Sequence, residues 1–240
     1  MPPEIIQLGF DPGYLKSSPP ISLTSFLLIW FTACSTASVA DIVFLVDESS
    51  RIGQRNFHQI RTFLLMVISA LDIAPNNVRV ALVLYSDKPR LEFSLDTFED
   101  KSEVLNYLKK LPYRGGQSYT GAAINFLSKK VFTKEMGSRK DQGIQQVAVV
   151  ITDGYSLDNF TKPASKLRRS GVTVYAVGIQ NTSASDRMFF VNDFDSLKLI
   201  KHDIVQDICS PEGKVFSHIY FTATHYNGRS YFILWLVIQS

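Results

Sequence analysis

Cysteine, histidine and charge of one sign are all scarce in this chain. Two cysteines, Cys34 and Cys209, occur in 240 residues. Neither lies in a loop with a histidine nearby in sequence, so a Cys–His nucleophile has no support. The four histidines, His58, His202, His218 and His225, are dispersed, and the last two lie in a distinct tail. They form no local acid–base group. Lys and Arg number 25 against 22 Asp and Glu, a formal charge of +3. That scattered balance does not point to nucleic acid. Glycine has no three-residue period, which excludes a collagen triple helix within the chain. No GxGxxG or P-loop lysine pattern follows a strand-like run, and no GxSxG elbow occurs. An enzyme is therefore disfavoured, although doubly wound sheets host many of them. No apolar run is long enough to cross a bilayer convincingly as a helix.

What is present is a core. Apolar residues make up 45% of the chain, and the length suits one α/β domain with extensions. Strand-like and helix-like segments alternate through the middle. Asp41–Val46 (DIVFLV), Val78–Tyr85 and Val147–Ile151 are continuous apolar runs of strand length, as expected of strands covered on both faces. Val172–Ile179 is another strand, and Phe189–Val191 a short sixth. Arg90–Leu95 alternates and follows closely on Val78–Tyr85, which predicts an antiparallel edge strand. Helical spacing marks 56–71, 101–111, 120–131, 162–170 and 196–208, with Pro163 in a first turn. The predicted fold is α/β: a doubly wound, mostly parallel six-stranded sheet with one antiparallel edge strand and helices on both faces.

The ends differ from this middle. Residues 21–40 (ISLTSFLLIWFTACSTASVA) have an apolar stretch from Phe26 to Phe31 followed by small residues, the pattern of a signal peptide. The preceding 20 residues carry Glu4 and Asp11 beside Lys16, unlike a short basic leader. A signal anchor and an extension without a targeting role are the other two readings. Cys34 and Cys209 bracket the middle segment. A bridge between them in an oxidising compartment would tie its ends together and requires a leader cut near Ala33 rather than after Ala40. The alternative is two unrelated thiols. Asn159 and Asn181 each begin an Asn-x-Ser/Thr acceptor triplet. In residues 210–240, Asn227-Gly228 between β-rich runs signals a hairpin. The organisation expected is an extension over 1–40, a domain over 41–209 and a tail over 210–240.

Ligands of such sheets sit beyond the carboxyl ends of the strands. Three loops are expected there: Asp47-Glu48-Ser49-Ser50-Arg51, Gly115 to Thr120, and Thr152-Asp153-Gly154. They supply two carboxylates and several hydroxyls, the donor set of a hard divalent cation. The ordered segments DIVFLVDESSRIG, GGQSYTGAAI and VVITDG resemble the von Willebrand factor A family, most of all the A domains of collagen VI chains. The resemblance spans roughly Asp41 to Cys209.

That resemblance implies a metal-ion-dependent adhesion site, usually filled by Mg²⁺. Carried over residue by residue, Asp47 and Ser49 match the first motif, Ser118 stands where the family has Thr, and Asp153 matches the last Asp. Arg51 replaces an expected Ser. A guanidinium has no lone pair to give a metal. At ~6 Å from a divalent ion it would be repelled by about 5 kcal/mol at an effective dielectric of 20. Swinging into water would remove most of that cost. Ser50 faces another way if the loop follows the family path. The expectation is a degenerate site with weakened Mg²⁺ binding and Arg51 paired with Asp47 or Asp153. Capping of loops and helix starts is the plainer role for these carboxylates. Glu48 reads as a solvated loop residue and His58 as a helix-surface one. The resemblance further implies a non-enzymatic, secreted module of the extracellular matrix that binds collagen-like or other protein partners. A cytoplasmic scaffold, or a truncated relative of a longer matrix chain, is the competing reading.

Overall fold

The computed structural model describes residues 5–7, 39–179, 188–209, 216–226 and 229–238. In chain order the elements are β1 (Ile5–Gln7), β2 (Ala40–Asp47), α1 (Gly53–Ser69), β3 (Val78–Tyr85), β4 (Pro89–Phe93), α2 (Lys101–Lys109) and α3 (Thr120–Phe126). There follow β5 (Gln145–Thr152), α4 (Thr161–Arg169), β6 (Val172–Ile179), β7 (Met188–Val191), α5 (Lys201–Cys209), β8 (Phe216–Tyr226) and β9 (Arg229–Ile238). The chain divides into two units, one over Cys34–Ile208 and one made of the two ends.

The larger unit holds a six-stranded sheet of order β4-β3-β2-β5-β6-β7. All pairings are parallel except β3 with β4. The antiparallel exception follows from its link: Tyr85 stands opposite Pro89, too short a connection for a crossover. Pro89 is tolerated because β4 is an edge. Every residue of β2 is buried. Val43 and Leu45 pack in one cluster with Ala123 of α3, Leu127 just past its end and Leu167 of α4 on one face. By the alternation of a strand, Ile42, Phe44 and Val46 serve the other face, the side of α1 and α2. α1 buries Phe57, Ile60, Phe63, Leu64, Val67 and Ile68, a stripe at three- and four-residue spacing. α2 is capped by Asp100, whose side chain accepts from Ser102 N.

Several predicted bounds shift. The segment expected to be helical over 120–131 is α-helical only to Phe126, after which Leu127–Val131 forms a π turn closed by Phe132 N on Leu127 O at 3.0 Å. The edge strand ends at Phe93, because Leu95 N bonds Met136 O rather than β3. The closing helix begins as a 3₁₀ segment, Phe194–Ile200.

The amino-terminal rim of the sheet contains a buried ion pair that the sequence did not advertise. Asp41 is unexposed, and Arg139 is 5% exposed. Arg139 Nε donates to Asp41 Oδ1 at 2.8 Å, and its backbone N donates to Oδ2 at 2.6 Å. Gln146 Nε2 adds a bond to Oδ2 at 2.7 Å. The rest of the guanidinium donates to the carbonyls of Ala40, Asn77 and Pro75. Both partners are thus nearly saturated, which a buried pair needs to survive desolvation.

In the other unit, β9 pairs antiparallel with both β8 and β1, and Tyr226 stands opposite Arg229. Residues 21–38 of the segment proposed as a leader, Cys34 included, lie outside the described residues, as do Asn181 and Asn227-Gly228; Cys209 closes α5. No helix among the described residues is long and apolar enough to cross a membrane.

Candidate functional site

The strand order reverses beside β2, with β3 on one side and β5 on the other. The carboxyl ends of β2 and β5 therefore open onto the same crevice. Asp47 ends β2, unexposed. Its Oδ1 accepts from Ser49 N at 2.8 Å, and its Oδ2 accepts from Ser118 Oγ at 2.9 Å. Thr152 Oγ1, at the end of β5, lies 3.4 Å from the same Oδ2. Burial raises the Asp47 carboxyl above the usual aspartate range. Hydrogen bonds from Ser49 and Ser118 offset part of the rise, and the charge of Asp153 adds to it.

The three loops are cross-tied. Ser50 N donates to Gly116 O at 2.8 Å, and Gly116 N donates back to Ser50 Oγ at 3.0 Å. Ser50 is thereby directed at the second loop. Gly116 has φ 113°, and a Cβ there would stand 2.7 Å from Asp87 Oδ2, so only glycine fits. Leu157 N donates to Ser118 O at 2.9 Å. Ser156 Oγ accepts from Thr120 N at 3.0 Å, and Asp158 accepts from the N–H groups of Gly121 and Ala122 at 2.7 Å each. The third loop thus braces the start of α3.

Two features decide what this crevice can hold. Ser49 is 1% exposed, and its Oγ has no hydrogen-bond partner among the described residues. A buried hydroxyl without a partner costs about 1–3 kcal/mol. Beside it, Arg51 Nε donates to Asp153 Oδ2 at 3.0 Å. The Arg51 side chain is 57% exposed and Asp153 15%. Arg51 Cζ also lies 4.4 Å from the centroid of the Tyr155 ring. Asp153 Oδ1 accepts from Tyr155 N at 3.0 Å, so each of its oxygens already has a donor.

The oxygens of Asp47, Ser49 and Ser118 suit a hard divalent cation, and the orphaned Ser49 hydroxyl is what such a site leaves before a ligand arrives. Arg51 does not suit it: it engages Asp153 Oδ2 and brings a permanent positive charge. With Arg51 on Asp153 Oδ2, the set of Asp47, Ser49, Ser118 and Asp153 is not open to Mg²⁺ as it stands in this structure.

Of the two carboxylates offered as partners for Arg51, the geometry selects Asp153. The stacking on Tyr155 was not anticipated; an aromatic two residues beyond Asp153 was its only sequence signal. Glu48 requires a correction. It is unexposed rather than solvated, and Arg90 NH1 donates to its Oε1 at 2.8 Å. Arg114 N donates to Oε2 at 3.2 Å. Glu48 sits inside because β4 folds back and carries Arg90 to it. His58 is exposed, with Nδ1 2.7 Å from Arg61 NH2. Asn159 is exposed, and its Oδ1 accepts from Thr161 N at 2.9 Å.

A helix-sandwiched parallel sheet with an antiparallel edge and an oxygen-lined crevice at its switch point characterises an A-type α/β domain. Residues 41–202 match the von Willebrand factor type A domain, and the chain belongs to that family. Among individual relatives, it is 46% identical to the collagen alpha-4(VI) chain of Mus musculus over 169 residues, 70% of this chain and 7% of that one. It is 46% identical to the collagen alpha-6(VI) chain of Homo sapiens over 155 residues, 65% of this chain and 7% of that one. To the collagen alpha-1(XII) chain of Notophthalmus viridescens it is 35% identical over 214 residues, 85% and 22% of the two chains. The chain thus corresponds to a small part of each. Proximal thread matrix protein 1 from the mussel byssus shares the fold, with TM-score 0.65 and 24% identity over 71% of this chain and 48% of that one. A structure of that mussel protein is described with a zinc-occupied MIDAS motif.

Proposed function

We propose that residues 41–209 form a non-enzymatic extracellular binding module that engages matrix proteins, collagen-like ones among them, and that its adhesion site is degenerate. Support for the setting comes from the collagen relatives. On this reading Asp47, Ser49, Ser118 and Asp153 are the remnant of a metal site, and Arg51 has taken over the cation's place against Asp153. The observation that carries it is the Arg51 Nε bond to Asp153 Oδ2, beside a serine hydroxyl left without a partner. Mg²⁺ or Mn²⁺ arriving here must displace a guanidinium already held by a carboxylate and a ring.

Titration calorimetry with Mg²⁺ and Mn²⁺ tests the proposal. The natural chain is expected to show no micromolar binding. Arg51→Ser, which restores a hydroxyl and removes the charge, is expected to gain it. Micromolar binding by the natural chain overturns the degenerate-site reading.

The proposal extends to export: a leader removed near Ala33, a Cys34–Cys209 link closing the domain, and glycan on Asn159 and Asn181. Secretion from cultured cells followed by non-reducing mass analysis reads all of these together. A retained product with both thiols free would instead favour the cytoplasmic scaffold.

A further inference from the structure

The charge balance of the whole chain hides an uneven flank. No acidic residue occurs from Ser49 to Leu71, or from Val104 to Lys134. The first stretch holds α1, and the second holds the segment that follows α2. Between α1 and that segment runs a groove of about 640 Å³, a size common to ligand sites. Arg55, His58 and Arg61 of α1 line one wall, and Leu111, Pro112 and Tyr113 line the other. Among the described residues no carboxylate lines the groove. Asp193 and Asp195 line a neighbouring groove that Arg55 also borders. Asp193 is turned to Ser196 N and Oγ, at 2.8 and 2.7 Å.

The cationic wall offers unused donors. Arg61 NH2 lies 2.7 Å from His58 Nδ1. A guanidinium can only donate, so Nδ1 accepts and the ring proton sits on Nε2. Arg55 is exposed and forms no ion pair among the described residues. The opposite wall is apolar and fixed in place. The Tyr113 ring centroid stands 5.4 Å from that of Phe57, and the Tyr113 hydroxyl donates to Ser49 O at 3.3 Å. One wall thus suits an oxyanion and the other an aromatic ring.

We infer that this groove receives a sulfated tyrosine of a protein partner. Its sulfate meets Arg55, His58 and Arg61, and its ring lies against Pro112 and Tyr113. A sulfate ester, like a phosphate ester, presents three terminal acceptor oxygens; a carboxylate presents two. No metal enters this contact. The inference rests on the extracellular reading, because tyrosine is sulfated on exported proteins.

The test uses the full chain in EDTA, followed through the His58 ring resonances. The probes are acetyl-Gly-X-Gly-amide peptides in which X is tyrosine sulfate, tyrosine, glutamate or phosphotyrosine. The sulfated peptide is expected to bind about tenfold more tightly, or better, than the tyrosine and glutamate peptides. Arg55→Gln is expected to weaken sulfated-peptide binding by about tenfold. Lys162→Gln removes the same charge from α4, on the opposite face of the sheet, and is expected to change it by less than about twofold. Both positions are exposed, so an unchanged circular dichroism spectrum confirms that the fold survives. Equal affinities for the sulfated, tyrosine and glutamate peptides overturn this inference and leave the extracellular reading standing. Equal weakening by the two variants does the same, since diffuse charge would then account for the binding. Tight binding of the phosphate peptide alone overturns the inference and counts against the extracellular reading as well.

Discussion

Strand β2 carries an aspartate at each rim of the sheet, Asp41 and Asp47, and both are unexposed. Their surroundings differ sharply. Asp41 receives the guanidinium and the backbone N of Arg139 together with Gln146. Asp47 receives one backbone N–H, the Ser118 hydroxyl and, at 3.4 Å, the Thr152 hydroxyl, with no cation against it among the described residues. The lower rim is a closed network that uses nearly every polar group it buries. The upper rim buries a carboxylate without a counterion and a hydroxyl without a partner. Folding stability explains the first arrangement and disfavours the second, which agrees with the binding role proposed for the second rim.

The sharpest way to break this contrast is at the lower rim. Arg139→Met leaves Asp41 buried with no cation and is expected to destabilise the domain by about 3–5 kcal/mol in chemical denaturation. A cost below about 1 kcal/mol would mean that the two rims are energetically alike. Ser49→Ala, at the upper rim, is expected to do the reverse. It removes an unsatisfied buried hydroxyl and should stabilise the metal-free protein by about 1 kcal/mol. A loss of stability instead would show that the hydroxyl is satisfied. The smallest effect concerns pH, because hydrogen bonds offset part of the burial at Asp47. Its folded pKa lies above the ordinary 3.8. Between those two values the folded state binds more protons than the unfolded one, so rising pH removes stability through that window. Asp47→Asn should abolish that decline: its stability relative to the natural chain should grow as pH rises above 3.8 and then level off once the folded-state carboxyl is ionised. A difference independent of pH would place the carboxyl at its ordinary value.

The central sheet was legible because parallel strands buried on both faces read as continuous apolar runs. Val78–Tyr85 and Val172–Ile179 fall where their patterns place them. Bounds failed where tertiary contacts overrode pattern. The residues after Phe126 keep a helical apolar face, yet the backbone there takes a wider turn. The three loops of the site were legible from Asp47, Ser118 and Asp153 at strand and helix ends. Their electrostatics were not. Glu48 stands 42 residues from Arg90 and Asp41 stands 98 from Arg139, so nothing local betrays either pair. A lone Arg139 beside Lys140 and Asp141 reads as solvated surface, and only the closing of β5 against β2 brings it to Asp41.

The reciprocal bonds between Ser50 and Gly116, with those of the Ser156–Asp158 segment to the start of α3, have a consequence for association. Loops that must order on contact charge an entropic toll to every complex they form. Here that ordering is completed during folding, and the guanidinium of Arg51 is already parked on its ring. On the proposed function, a segment docking there would meet a receptor already ordered, so capture would be governed by encounter and release by the few contacts at the mouth.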